Sequence, residues 1–149
     1  METGLSQCIA AIGQMTAEDA VDLRNYSPLT LAYIGDAVYE LMIRSMVISR
    51  GNAPVNKLHK RSAALAKAPA QAWIIKAIEP MLDEEELQVF KRGRNAKAYT
   101  SAKNASIIDY RMATGFEALI GYLYLQKKYE RLTEIVKTGI EKYSEEFKH

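Results

Sequence analysis

The stretch LTLAYIGDAVYEL, from Leu29 to Leu41, is almost wholly apolar and decides how this chain is expected to fold. With the residues that follow, the apolar run reaches Ile48 and contains Asp36, Glu40 and Arg44, each four residues after the last. Side chains at that spacing lie on one face of an α-helix. The pattern therefore predicts a core helix with one polar edge, and it disfavours a membrane span.

A carboxylate inside such a helix needs a partner, because burying an ionised acid alone is costly. The stretch TGFEALIGYLYL places Glu117 in a second apolar run, so we expect both Asp36 and Glu117 to be buried. A shared Mg²⁺ ion would remove the cost of both, since this cation prefers oxygen ligands. Glu40, one turn after Asp36, is a third candidate ligand. The alternative is that Glu40 pairs with Arg44 while Asp36 accepts hydrogen bonds at a packed interface.

The rest of the chain is predicted to form helices joined by short connections, without β-alternating runs, repeats or linkers. We expect one all-α domain, a helical bundle over residues 1–149 with its core at about 26–137. The predicted helices run from Ser27-Pro28 to Gly51, from Val55 to Lys67, from Pro69 to Ile78, from the acidic run at Asp83 to Gly93, from about Ile107 to Lys127, and along an amphipathic C-terminal segment that includes Leu132 and Phe147.

Composition sets broad limits on the class of protein. The chain has 149 residues, 48% of them hydrophobic and 26% charged, which excludes a wholly disordered protein. A net charge of +2 is only mildly basic, so a nucleic-acid partner must be argued from local clusters. Cys8 is the single cysteine, His59 and His149 are isolated, and neither a zinc site nor a targeting segment is recognisable. We expect a cytoplasmic protein without a membrane partner.

Two basic clusters favour contacts to a phosphate backbone. The stretch KRGRNAKAYTSAKNAS, residues 91–106, contains no acid, and a second group of bases follows Gly51. Such side chains make salt-dependent contacts that are largely blind to base sequence. The competing interpretation is that both clusters are ordinary solvated helix faces. The candidate RNA-binding residues are Lys57, Lys60, Arg61, Lys67, Lys91, Arg92, Arg94, Asn95, Lys97 and Lys103.

Four short motifs resemble a known family, and their order along the chain is YIGDA, LHKRS, KRGRNAK and FEALIGYLYL. YIGDA and FEALIGYLYL resemble the two acidic helices of the ribonuclease III family, and LHKRS and KRGRNAK between them resemble its compact bacterial Mini-III branch. The resemblance covers about residues 29–128. It implies a homodimeric, all-helical endonuclease domain that cleaves double-stranded RNA with Mg²⁺, or with Mn²⁺ in its place, and leaves 5′-phosphate and 3′-hydroxyl ends. It also implies that Asp36 and Glu117 are catalytic metal ligands.

The same resemblance implies a substrate in the 23S (large-subunit) ribosomal RNA precursor, with a ribosomal protein or the pre-ribosome as a further partner. We expect no separate double-stranded-RNA-binding domain. The sequence departs from the wider family at Ala32 and Thr114, where full-length members usually carry further acids. A non-catalytic RNA- or ribosome-binding protein therefore stays open as an alternative. A nucleotide pyrophosphohydrolase is disfavoured, because the acids at residues 83–86 are contiguous and do not form ExxE pairs.

Overall fold

A computed structural model of the chain describes residues 7, 11–12, 14–15, 22–96 and 106–147. These ranges contain no β-strand, so the prediction of an all-α fold is confirmed. Single 3₁₀ turns lie at Leu23–Asn25 and Glu79–Met81. Residues 22–96 and 106–147 contain six α-helices: α1 (Pro28–Ser49), α2 (Val55–Ala66), α3 (Ala68–Ile78), α4 (Glu84–Asn95), α5 (Ile107–Leu125) and α6 (Tyr129–Glu146).

Helix α5 lies at the centre of the bundle. It packs against α1, α4, α3 and α6, and every residue from Met112 to Tyr124 is buried except Glu117. The ring of Phe116 meets Tyr39 of α1 edge to face, with 5.3 Å between centroids, and the Tyr39 hydroxyl donates to the Leu65 carbonyl at 2.8 Å. A polar residue left partly accessible in so buried a helix marks the place where the core opens to a site.

Local signals set the helix limits close to the predicted ones. Ser27 caps α1 by accepting a hydrogen bond from the Leu29 backbone nitrogen at 3.2 Å, and Pro28 occupies the first turn, where its missing N–H costs nothing. After α1 ends, Gly51 has a φ of +124°, a conformation that other residues rarely adopt. Helices α1, α2, α3 and α5 therefore begin and end within about two residues of the sequence prediction.

The predicted end of α4 at Gly93 is wrong, because α4 continues through Gly93 to Asn95. Gly93 is buried where α4 crosses α5, and a methyl group added there would lie 2.8 Å from the Ala118 Cβ and 2.9 Å from the Gly115 Cα. This glycine permits a close helix crossing and does not break the helix. Tertiary packing outweighs the low helix propensity of glycine at this position.

An ion pair attaches α6 to the start of α4. Glu86 accepts hydrogen bonds from the Asp83 backbone nitrogen at 2.9 Å and from two nitrogens of Arg131 at 2.8 Å. Burial acts to raise the pKa of Glu86, but hydrogen bonds from Arg131 and Asp83 and the Arg131 charge outweigh it, so that this pKa lies below its usual range. Among the described residues, no helix has the length and apolar character needed to cross a membrane.

Candidate active site

Two glycines bring the acid of α1 next to the acid of α5. A methyl group built on Gly35 would lie 1.8 Å from the Glu117 carbonyl oxygen, and one built on Gly121 would lie 2.0 Å from the Leu31 carbonyl oxygen. Both positions require glycine, because no side chain fits between the two backbones. The α1–α5 crossing therefore sets Asp36, the neighbour of Gly35, beside Glu117. We call these two residues the acidic pair.

The two acids differ in their exposure to solvent. Glu117 is half-buried, whereas Asp36 is exposed, so the prediction that both acids are buried is wrong for Asp36. The α1 surface around Asp36 also carries the exposed side chains of Leu29 and Tyr33, and none of the described residues covers these two side chains. Because Asp36 stays in contact with water, the free-energy cost of burying charge at this site falls mainly on Glu117.

The pKa of Glu117 is raised to about 8. Burial is the largest cause, followed by a hydrogen bond with Asp36 and by the negative charge of Asp36; the charge of Glu40 acts in the same direction. A hydrogen bond from Gln71 of α3 acts in the opposite direction and is too weak to prevail. In the absence of a cation, Glu117 therefore holds a proton near neutral pH.

Glu40 lies close enough to influence Glu117, but its carboxylate is engaged elsewhere. It accepts a hydrogen bond from Arg44 Nε at 3.0 Å, one turn along α1, as the alternative interpretation of the sequence proposed. Its assignment as a third metal ligand stays a prediction. That role would require Glu40 to leave an exposed ion pair of the kind that contributes little stability.

The two positions at which the sequence resemblance led us to look for further acids contribute no carboxylate here. Ala32 and Thr114 are both buried, and the Thr114 hydroxyl donates to the Tyr110 carbonyl of its own helix at 3.0 Å. Within the described ranges, no group of three or more His, Cys, Asp or Glu side chains could hold a metal ion. The carboxylates that meet at this site are therefore those of the acidic pair.

Gln71 of α3 is a buried polar residue that the sequence analysis missed. It is only 3% exposed, and its Nε2 donates to the Ala66 carbonyl oxygen at 2.7 Å. Its Oε1 has no hydrogen-bond partner, a condition that costs a buried acceptor about 1–3 kcal/mol. The available signal was of the kind that revealed Asp36 and Glu117: a polar residue within an apolar stretch of helix.

These donors fit a magnesium ion. Mg²⁺ prefers carboxylate and other oxygen ligands, and in proteins it commonly keeps several waters while binding one or two carboxylates. The acidic pair supplies two carboxylates, one of which holds a proton that a cation would displace. Both predicted catalytic residues, Asp36 and Glu117, thus lie in one place.

The first basic cluster lies on and just after α2. Lys57, Lys60, Arg61 and Lys67 are all exposed, and none of them forms an ion pair with a described residue. Their neighbour on the inner face, Ser62, is buried and donates to the Leu58 carbonyl at 2.9 Å. The cluster is therefore an exposed set of cations on a helix whose other face is packed.

The second basic cluster lies at the C-terminal end of α4. Lys91, Arg92 and Asn95 line a surface cavity of about 570 Å³ next to Pro28 at the start of α1. Arg92 also donates to the Tyr26 carbonyl at 3.4 Å, and Arg94 lies over the Phe90 ring, 5.6 Å from its centroid. Lys97 and Lys103, the other two candidates in this stretch, lie outside the described residues.

The family model and the named relatives of this chain agree on one family. The family model of the ribonuclease III domain matches residues 29–128. A Mini-ribonuclease 3 from Clostridium tetani is 59% identical over 125 residues, covering 83% of this chain and 83% of that protein. A Mini-ribonuclease 3 from Enterococcus faecalis is 46% identical over 126 residues, covering 83% and 96%. A crystal structure of a protein from Fusobacterium nucleatum is 37% identical, with a TM-score of 0.74, and covers 82% of this chain and 98% of its own.

Proposed function

This chain belongs to the ribonuclease III family and is an endoribonuclease, and we propose that it uses Mg²⁺ to cleave double-stranded RNA at the acidic pair. The family resemblance found in the sequence is confirmed; the cofactor, the duplex substrate and the residue roles are our proposals. The observation that carries them is the convergence of Asp36 and Glu117 at the α1–α5 crossing, where two glycines exclude any side chain that would separate them.

We assign the binding of the cation to Asp36 and Glu117, with Glu40 as a further candidate ligand. When bound, Mg²⁺ lowers the pKa of a coordinated water and stabilises charge on phosphate oxygens; Mn²⁺ can substitute. The exposed position of Asp36 leaves the site open to a backbone phosphate, while the half-buried position of Glu117 restricts the movement of its carboxyl group. Hydrolysis by an attacking water leaves a 5′-phosphate and a 3′-hydroxyl end.

The basic clusters support RNA as the ligand. An RNA duplex is recognised mostly through its shape, its phosphates and its 2′-hydroxyl groups, so a protein without base-reading pockets can select it. Exposed cations on α2 and a basic cavity at the end of α4 supply contacts of that kind. We infer that these two surfaces, together with Lys97 and Lys103, provide the grip on the substrate.

A homodimer is the assembly that suits this function. Helix α1 exposes an apolar strip in which Leu29, Tyr33, Leu41 and Ile48 recur at helical spacing, and Tyr33 is 82% exposed. A second copy of the chain would cover that strip. Because the two strands of a duplex are antiparallel, a two-fold dimer would present one acidic pair to each strand.

We further propose a biological substrate and setting on the basis of the Mini-III resemblance. The substrate is the precursor of 23S (large-subunit) ribosomal RNA, cleaved in the cytoplasm, with a ribosomal protein or the pre-ribosome as partner. The second candidate function is a non-catalytic RNA- or ribosome-binding protein. The specific observation that favours it is the buried Ala32 and Thr114 at positions where the wider family has acids.

One assay separates these functions. The protein is incubated with a long RNA duplex, with each of its single strands and with a DNA duplex of the same sequence, in Mg²⁺, in Mn²⁺ or in EDTA. We expect cleavage of the RNA duplex alone, with either metal and not in EDTA. Binding of the RNA duplex without cleavage would favour the non-catalytic protein, and equal cleavage of single strands would contradict duplex selection.

A further inference from the structure

The last carbonyls of α2 lack the donors that a continuing helix would supply. Lys67 leaves the helix with an extended backbone, at a ψ of 151°, so the chain turns away before another helical turn can form. In an uninterrupted helix the Leu65 carbonyl would accept from the N–H of residue 69, but that residue is Pro69, which has no N–H. The C-terminal end of α2 therefore depends on donors from other groups.

Side chains of two other helices donate to these carbonyls. The Tyr39 hydroxyl of α1 donates to the Leu65 carbonyl at 2.8 Å, and Gln71 Nε2 of α3 donates to the Ala66 carbonyl at 2.7 Å. Tyr39 is 0% exposed and Gln71 is 3% exposed, so both donors are shielded from water. A buried hydrogen bond from Tyr39 thus ties the C-terminal end of α2 to α1.

Tyr39 also contacts α5 beside the acidic pair. Its ring meets the Phe116 ring edge to face, with 5.3 Å between centroids, and Phe116 directly precedes Glu117 in the chain. On α1, Tyr39 follows Asp36 by three residues, close to one helical turn. One side chain therefore joins the two helices that carry the acidic pair to the helix that carries the first basic cluster.

The first basic cluster lies on the helix that Tyr39 holds. Lys57, Lys60 and Arg61 are exposed along α2, and the exposed Lys67 directly follows Ala66. RNA phosphates bound by these cations keep a constant position relative to the acidic pair only if the end of α2 does not shift. A displacement of about 1 Å between reacting groups can lower an enzymatic rate by about 100-fold.

We propose that Tyr39 is a positioning residue for RNA cleavage: its hydroxyl fixes the C-terminal end of α2 and so sets the distance between the bound RNA backbone and the acidic pair. This inference rests on the proposed function, since it takes the first basic cluster as an RNA-binding surface and the acidic pair as the cleaving site. Because Tyr39 is fully buried, it touches neither the RNA nor a cation. Its hydroxyl therefore acts on the rate at which bound RNA is cleaved and not on RNA affinity.

The chain offers a matched control within α2. Ser62 is 6% exposed, and its hydroxyl donates to the Leu58 carbonyl at 2.9 Å, a bond that stays inside the helix. Tyr39→Phe and Ser62→Ala each remove one buried hydroxyl that donates to a carbonyl of α2. Of the two substitutions, only Tyr39→Phe breaks a bond between helices.

The experiment measures single-turnover cleavage of a long RNA duplex at saturating protein in Mg²⁺, and RNA affinity in EDTA, for the wild type and both variants. We expect Tyr39→Phe to slow the cleavage of bound RNA by about 10-fold, because the phosphates are held in a shifted position. Its RNA affinity should stay within about twofold of the wild type, because the cations of α2 remain exposed. Ser62→Ala should keep both the wild-type rate and the wild-type affinity.

Hydrogen exchange tests the same hydroxyl without RNA. The Lys67 backbone N–H donates to the Ala63 carbonyl at 3.1 Å, in the last turn that Tyr39 holds. We expect this amide to be protected from exchange in the wild type and to exchange faster in Tyr39→Phe, because the turn opens more often without the hydroxyl. Ser62→Ala should leave its exchange unchanged.

Cleavage by Tyr39→Phe at the wild-type rate would overturn the role of Tyr39, even in a variant less stable to urea, because a purely structural hydroxyl changes stability alone. Equal losses of rate in Tyr39→Phe and Ser62→Ala would also overturn it. If Tyr39→Phe does not fold, the wild type decides, and a Lys67 amide that exchanges as fast as in an unfolded chain would contradict a fixed end of α2. A wild-type protein that does not cleave the duplex would instead overturn the proposed function, and this inference with it.

Discussion

Glu117 is a half-buried acid whose proton makes a testable contribution to stability. Its pKa is 4.5 in an ordinary setting and about 8 in the folded protein, because of burial and of Asp36. Between those values the folded state keeps a proton that the unfolded state has released. The free energy of unfolding of the cation-free protein therefore falls as the pH rises from about 5 to about 8.

Urea denaturation in EDTA across that range measures the slope of the unfolding free energy against pH. For one proton we expect this slope to approach about 1.4 kcal/mol per pH unit. Glu117→Gln cannot release the proton, so we expect its stability to depend less steeply on pH than that of the wild type. Identical slopes in the two proteins would show that Glu117 titrates normally, and would contradict the buried environment described for it.

The sequence identifies some residues of this site and not others. An acid within an apolar stretch of helix identified Asp36 and Glu117, because that pattern requires a chemical explanation whatever the fold. It did not reveal that Asp36 is exposed, since periodicity assigns residues to helix faces but does not say which faces another helix covers. The burial of Gln71 was missed because it depends on α3 lying against α5, which only the packed structure shows.

At the scale of elements, the α1–α5 crossing holds the two acids together. Gly35→Ala forces the Glu117 backbone away from α1, because the new methyl would lie 1.8 Å from its carbonyl oxygen. We expect a loss of about 1–3 kcal/mol in the free energy of unfolding, together with weaker Mn²⁺ binding. Denaturation and calorimetry measure the two effects.

Gly139→Ala on α6 is the matched control, because its added methyl would meet the side chain of Ile74 and no backbone atom. It should reduce stability less than Gly35→Ala and leave cation binding unchanged. Wild-type stability and cation affinity in Gly35→Ala would contradict the close crossing as the feature that positions the acidic pair.

The basic face of α2 is a second element with a testable role. Replacing Lys57 and Lys60 by alanine removes two exposed charges, so RNA binding should weaken. The slope of log affinity against log salt concentration should also become shallower, by about one for each lost phosphate contact. Filter binding at several salt concentrations measures both effects. As a control, Lys137→Ala combined with Lys142→Ala removes the same charge from exposed positions on α6. Equal changes of the salt slope in both double variants would contradict the assignment of α2 as an RNA-binding surface.

Helix limits were predictable because caps and glycines act locally, whereas helix crossings were not. Ser27, Pro28 and Gly51 mark the ends of α1 through their own backbone chemistry. Gly93 carries the same sequence signal as a helix end, yet it lies inside α4 because α5 passes next to it. The difference between the two kinds of glycine lies in contacts with residues far away in the chain.

At the scale of the whole molecule, the exposed strip on α1 predicts that this chain is a dimer in solution. Sedimentation at micromolar concentration should find a species of twice the mass of the chain. Tyr33→Arg places a charge in the centre of the strip and should shift the protein toward monomer, whereas Val55→Arg, at a 63% exposed position on α2, should not. Finding only monomer in the wild type would contradict the two-site arrangement on a duplex.

The central claim is that one acidic pair, Asp36 and Glu117, cleaves double-stranded RNA. The most direct measurement is the cleavage rate of a long RNA duplex in Mg²⁺ by the wild type, Asp36→Asn and Glu117→Gln, with Glu84→Gln as an exposed acid on α4 for control. We predict that each variant of the pair loses at least about 100-fold in rate while Glu84→Gln keeps wild-type activity, because a neutral amide binds a cation far more weakly than a carboxylate. Cleavage by Asp36→Asn or Glu117→Gln at the wild-type rate would contradict the claim.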